Sequence, residues 1–209
     1  MPDSGAFFER LCIDMNSKEE MTQNLINELN SYYSQYIYLV DIMNVFEHLG
    51  KFKVEEQKIA PNYFSITYAA LIDSFMLTFA RLYDNSKQTK SIQNLIDKCK
   101  KNIFLFSEQE KVENKLNEFE HKMKEDEFIS PAITTIKYRR DKLFVHNDKK
   151  LFNHPENDSS HLPMYQLWFL RDFTNEVLSY LLDKLGEEPN QDAIYDNDLK
   201  KIIDYIKDT

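Results

Sequence analysis

Leu25, Leu29, Tyr32, Tyr36, Leu39, Met43 and Phe46 recur at three- and four-residue steps. Only an α-helix puts residues so spaced on one face, and the run is long enough to require a partner surface to bury it. Ser17-Lys18-Glu19-Glu20 reads as a capping box that opens this helix, the Ser hydroxyl and Glu carboxylate each satisfying a free amide. The helix is expected to reach about Leu49, with Gly50 as a left-handed C-terminal cap. Residues 1–16 then form a lead-in, as a short helix or a loose arm.

Further helices follow from the same signals. Residues 51–60 are a charged connection, and Pro61-Asn62 opens a helix to about Tyr83. Its sequence, YFSITYAALIDSFMLTFARLYD, is apolar on nearly every face, which predicts a central buried helix. Ser91 can cap a short helix through about Lys101. Ser107-x-x-Glu110 is a second capping box, before EKVENKLNEFEHKMKEDEF. Ser130-Pro131 starts PAITTIKYRRDKLFVH, which should end near Asn147. Residues 148–162 read as an exposed loop. A long helix over Pro163–Leu185 stops at Gly186, and a short one lies near 196–207. With 3 Gly and 6 Pro in 209 residues, a turn-rich β fold is excluded. The expectation is an all-α, up-and-down bundle of four main helices with short helices packed around it. In domain terms, 1–16 is a lead-in, 17–186 the bundle, and 187–209 a C-terminal piece packed on it or trailing.

Net charge is −9, which disfavours a broad nucleic-acid-coating surface. The charge is uneven, however. Lys137–Lys150 carries six basic residues against two acids, and Lys87–Lys101 carries five lysines against one aspartate. Local basic patches on an acidic body suit a confined anion site. Cys12 and Cys99 lack metal or redox spacing and read as free thiols in a reducing cytoplasm. No basic head precedes an apolar run at the N-terminus, and no stretch looks long enough to span a bilayer, so a cytoplasmic protein without membrane contact is expected.

Several chemistries can be weighed. Glu118-x-x-His121 has the spacing used in di-iron bundles, but no second such pair occurs, so no metal or other cofactor is expected. Three glycines leave no phosphate-cradling loop. Asp73 lies inside the apolar helix and must find a partner if buried, either as a helix–helix tie or as a group supporting a site. RRDKLFVH, residues 139–146, places two arginines before a histidine. On an unbroken helix Arg139, Lys142 and His146 share one face, while Arg140 joins the apolar stripe of Ile133, Ile136 and Leu143. They could surround one phosphate. The plainer reading is cations gathered at a helix C-terminus, where the dipole favours them.

Arg140-Asp141, four residues, then His146 resembles the R-x(4–6)-H signature of the HEPN superfamily. The string RRDKLFVHND, with FARLYDNSKQTKSIQNLI at 79–96, resembles its abortive-infection U-type branch. The resemblance implies a helical bundle that dimerises, two motifs facing each other across a shared cleft. It implies a metal-independent endoribonuclease of a toxin–antitoxin or anti-phage system, with a possible cognate antitoxin, or else a non-catalytic module that binds RNA, a nucleotide or a protein partner. The resemblance implies Arg140, His146 and Asp141 as the catalytic set. Arg139, Lys142 and Asn147 would assist substrate binding, and Asp73 and Asp84 would support them. The doubled arginine leaves the motif arginine open: the family pattern favours Arg140, simple helix geometry Arg139.

The chemistry suits these side chains. RNA carries its own nucleophile, the 2′-hydroxyl. His146 can move protons near neutral pH. A planar, permanently charged arginine can stabilise a phosphorane-like transition state. Tyr165, Trp168 and Phe169 on the last helix are either a dimer contact or part of the monomer core.

Overall fold

A computed structural model of the chain describes residues 4–58, 60–84, 86–145 and 162–189. Every element among them is helical: α1 (Ser4–Gly50), α2 (Val54–Gln57), α3 (Pro61–Leu82), α4 (Ile92–Lys101), a 3-10 turn (Ile103–Leu105), α5 (Gln109–Glu125), α6 (Ile129–Arg139), a π-helical turn (Arg140–Val145) and α7 (Met164–Lys184). The fold is an all-α bundle, as the periodicity requires. The predicted loop at 148–162 and the short helix near 196–207 fall, except for Leu162, outside the described residues.

α1 and α3 run antiparallel. Tyr38 Oη lies 3.3 Å from Ser74 Oγ, and further along α1 the Phe46 ring meets the edge of Tyr68. α5 and α7 are also antiparallel, tied in reverse order by Lys184–Glu108 at 2.8 Å and Lys115–Glu176 at 3.0 Å. The core lies between them. Leu29, Leu39 and Met43 of α1, Phe79 and Leu82 of α3, Leu95 of α4, Leu116 and Phe119 of α5, Ile136 of α6, and Leu170 and Leu178 of α7 are each wholly enclosed. Burying one such side chain stabilises the fold by about 1.5–3 kcal/mol.

Several boundaries differ from the sequence expectation. α1 passes through Ser17 unbroken, so Ser17-Lys18-Glu19-Glu20 is not a helix start. Gly50 is still helical and takes no positive φ; Gly186, at φ 82°, is the left-handed cap. There Glu187 N–H donates to Leu182 O and Gly186 N–H to Asp183 O, closing α7 in a Schellman arrangement. Ser91 caps α4 as expected, its Oγ accepting from Asn94 N–H. α5 begins after Glu108 rather than at Ser107. Asp126, not Ser130, caps α6: its Oδ1 accepts from Phe128 N–H at 2.9 Å and Ile129 N–H at 3.0 Å.

α3 is the largest departure. Its second half is the expected buried helix, with Phe75, Met76, Phe79, Ala80 and Leu82 in the core. Its first half is open: Tyr63 is 58% and Ile66 70% exposed, and Asp73 is exposed as well. The first half rests on the end of α1 and the link beyond it, through Phe46–Tyr68 and Phe52–Phe64 contacts. The second half is enclosed by α1, α6 and the π-helical turn. By length and composition alone α3 could cross a membrane, which corrects the reading that no stretch is long enough. Tyr165, Trp168 and Phe169 also stay 45%, 40% and 48% exposed, so the monomer core does not absorb them.

Cys99 is a buried free thiol, and burial pushes its pKa up to about 12, with Glu28 adding to the effect. In a Cys12→Ser background it should therefore resist DTNB until the protein is unfolded. Phe79→Ala should cost about 3–5 kcal/mol in urea unfolding, whereas Tyr63→Ala should stay within about 0.5 kcal/mol.

Candidate functional site

The end of α3 is fixed by one buried bond. Thr174 Oγ1 donates its hydrogen to Leu170 O at 2.7 Å, so in the 2.7 Å contact with Tyr83 Oη it must accept. Tyr83 is enclosed, and burial raises the pKa of its hydroxyl, which therefore stays a donor. The next residue, Asp84, is thereby held at the top of α3. Its Oδ1 accepts from Ser86 N–H at 3.2 Å and reaches Arg140 Nη1 at 3.2 Å.

Arg140 arrives from the other side. α6 buries Ala132, Ile133 and Ile136, and Arg140, continuing that stripe, keeps its side chain 25% exposed. The helix then widens: Arg140–Val145 is π-helical. Turns of this kind occur mostly as local bulges and often at functional sites. The widening overturns the premise that Arg139, Lys142 and His146 share a face on an unbroken α-helix, and with it the geometric argument for Arg139. Arg140 Nε donates to Asp141 Oδ1 at 2.7 Å. Two of the five guanidinium N–H groups thus meet carboxylates, leaving three for another acceptor among the described residues. The bond to Asp141, and after it the bond to Asp84, hold the Arg140 pKa above its usual value.

Lys137, one turn before Arg140, completes the cluster. Burial lowers its pKa; Asp84 opposes that effect and Arg140 adds to it. Sequence reasoning placed Lys137 in a basic stretch but not in the site. The signal was its three-residue spacing from Arg140, which sets the two on adjacent parts of one helix face.

The structure therefore brings together Arg140, Asp141, Asp84 and Lys137. Arg139 is partly buried and Lys142 exposed on the same segment. Asp73 is not among them: it lies about three turns before Asp84 and is exposed, so it forms no buried helix–helix tie. His146 and Asn147 lie outside the described residues. Glu118 is paired with Lys115 at 2.9 Å and Lys122 at 3.2 Å, and His121 is exposed. Among the described residues no group of three or more His, Cys, Asp or Glu could hold a metal ion.

A helical bundle with an arginine and aspartate at the end of one core helix, locked to the end of another, is a HEPN-like module. A family model, HEPN_AbiU2, described as AbiU2, matches residues 22–205, and the chain belongs to this abortive-infection U-type family of the HEPN superfamily. No curated protein and no solved structure matches it.

The Arg140–Asp84 contact is partly buried, so its coupling should exceed that of an exposed pair only modestly. A double-mutant cycle with Arg140→Ala and Asp84→Ala should give about 1 kcal/mol of interaction energy in chemical denaturation.

Proposed function

We propose that the protein is a metal-independent endoribonuclease, an abortive-infection effector whose active site is centred on Arg140. The observation that carries this reading is the guanidinium held between Asp84 and Asp141, its orientation set and, among the described residues, three N–H groups left that could meet a phosphate. That is the arrangement a phosphorane-like charge requires, since preorganised donors need not reorient during the reaction.

In this reading the RNA 2′-hydroxyl attacks the adjacent phosphorus and the P–O5′ bond breaks. His146 moves the proton from the nucleophile or to the leaving oxygen, the role an imidazole side chain suits by its ordinary acidity. Arg140 binds the non-bridging oxygens, and Asp141 and Asp84 orient it. Arg139, Lys142 and Asn147 draw the flanking backbone. The products are a 2′,3′-cyclic phosphate and a 5′-hydroxyl, and every atom needed comes from RNA and side chains. In this reading Arg140, which bonds both Asp84 and Asp141, is the motif arginine.

A homodimer would place two such sites in one cleft. Two exposed apolar surfaces support dimerisation: the first half of α3 around Tyr63 and Ile66, and the start of α7, where Phe169 stacks on Phe128 at 4.7 Å. A cytoplasmic location and restraint by an antitoxin protein fit such an enzyme.

Purified protein incubated with total RNA in EDTA should yield 5′-hydroxyl and cyclic-phosphate ends. His146→Ala should slow cleavage by about 10²–10⁴-fold with the thermal transition unchanged. A rate in His146→Ala equal to wild type would remove its assigned role.

A further inference from the structure

Two basic stretches far apart in the chain, one starting at Lys87 and one at Lys137, meet at a single carboxylate oxygen. Asp84 Oδ1 accepts from Ser86 N–H at 3.2 Å and lies 3.2 Å from Arg140 Nη1. The loop between α3 and α4 therefore begins at the Arg140 site. No acid occurs between Asp84 and Asp97, although the chain has 35 acids against 26 Lys and Arg, so this loop is positive on an acidic body.

The structure divides the lysines of the first stretch. Lys98 is paired with Glu28, and Lys100 with Glu120 at 2.9 Å, so these two tie α4 to α1 and α5. Lys101 is exposed at the far end of α4, about 15 Å along the helix from Ser91. Lys87 and Lys90 are exposed on the loop itself and, among the described residues, form no ion pair.

The loop that carries them is tied down. Thr89 N–H donates to Ser86 O at 3.1 Å, closing a β-turn with Lys87 and Gln88 at its tip. Asn94 Nδ2 reaches back from α4 and donates to Ser86 O at 2.8 Å and to Thr89 O at 2.7 Å. Ser91 is wholly buried, caps α4, and its carbonyl accepts from Tyr32 Oη at 3.3 Å. The turn keeps the Cα atoms of Ser86 and Thr89 within about 7 Å, and Lys90 is one step of about 3.8 Å further on. Both lysines thus spring from fixed backbone close to the carboxylate that orients Arg140. A single phosphate would occupy Arg140 alone. A strand brings further phosphates, and two point charges on flexible stems suit them whatever the bases are.

We propose that the α3–α4 loop is the docking ledge for the substrate strand, with Lys87 and Lys90 holding phosphates next to the one on Arg140. The proposal rests on the ribonuclease reading for the purpose of the strand, but strand binding is measured without cleavage.

The probe is a short fluorescein-labelled single-stranded RNA, 2′-O-methylated throughout so that it lacks the nucleophile. Its anisotropy is followed with the full chain over a range of salt concentrations. Wild type is compared with the double variant Lys87→Gln with Lys90→Gln. The control, Lys18→Gln with Lys51→Gln, removes the same charge from exposed positions more than about 20 Å along α1 from Tyr32, which marks the level of Ser91. Each phosphate contact on a single strand contributes about 0.7 to the slope of log K against log salt concentration. The loop variant should therefore lose about 1.4 of that slope and bind more weakly at low salt, with its thermal transition in place. The control should keep the wild-type slope. An unchanged slope in the loop variant, an equal loss in the control, or no binding of the probe by wild type would overturn the proposal. Cleavage of unmodified RNA alongside any of these results would leave the ribonuclease reading standing. Loop-dependent binding of the probe without cleavage of unmodified RNA would support the ledge and count against the ribonuclease.

Discussion

The buried hydrogen bond between Tyr83 and Thr174 fixes where α3 ends. The Tyr83 hydroxyl is in the core, and its partner in the bond is a threonine already committed to Leu170 O. An unmet hydroxyl there would cost about 1–3 kcal/mol, so the pair locks α3 to α7 at this height. Asp84 follows by one peptide unit and inherits that position. Arg140 then meets a fixed carboxylate instead of a mobile one. The site is thus assembled from the core outward: an apolar helix, a buried polar pin, an aspartate, and an arginine from another helix.

Charge explains why the cluster is confined. The chain is acidic overall, yet Lys137, Arg139, Arg140 and Lys142 fall within six residues. Asp84 and Asp141 offset part of that charge and fix the direction of Arg140. Under the proposed function such a site would bind a phosphate where it is aimed and give little to a polyanion elsewhere, since the surrounding acids repel it.

The helical elements were legible because their apolar residues repeat at helical spacing, and Ser91 and Gly186 act at the ends where their chemistry suggested. Three features were not. Apolar composition along α3 could not reveal that its first half has a neighbour on one side alone, because composition records what can be buried and not what is available to cover it. The Ser17 box has the right letters, but the helix is already propagating through it, and continuing a helix costs less than nucleating one. The π-helical turn at Arg140–Val145 leaves no mark in residue spacing, so a face computed at 100° per residue does not apply across it. At the site, the Arg140-Asp141 pair and Asp84 could be named from a family pattern. Lys137 was within reach, since its three-residue spacing from Arg140 marks it, but that Asp84 on another helix faces both cations is tertiary packing and leaves no mark in the sequence.

The central claim is that catalysis depends on an arginine fork oriented by two carboxylates and not merely on positive charge. The most direct measurement compares wild type with Arg140→Lys in metal-free cleavage of one defined RNA, with folding followed by circular dichroism. Lysine keeps the charge but cannot bond Asp84, Asp141 and a phosphate with one planar group. The account predicts a folded protein whose cleavage falls by about 10²-fold or more. A folded Arg140→Lys variant that cleaves at close to the wild-type rate would contradict it.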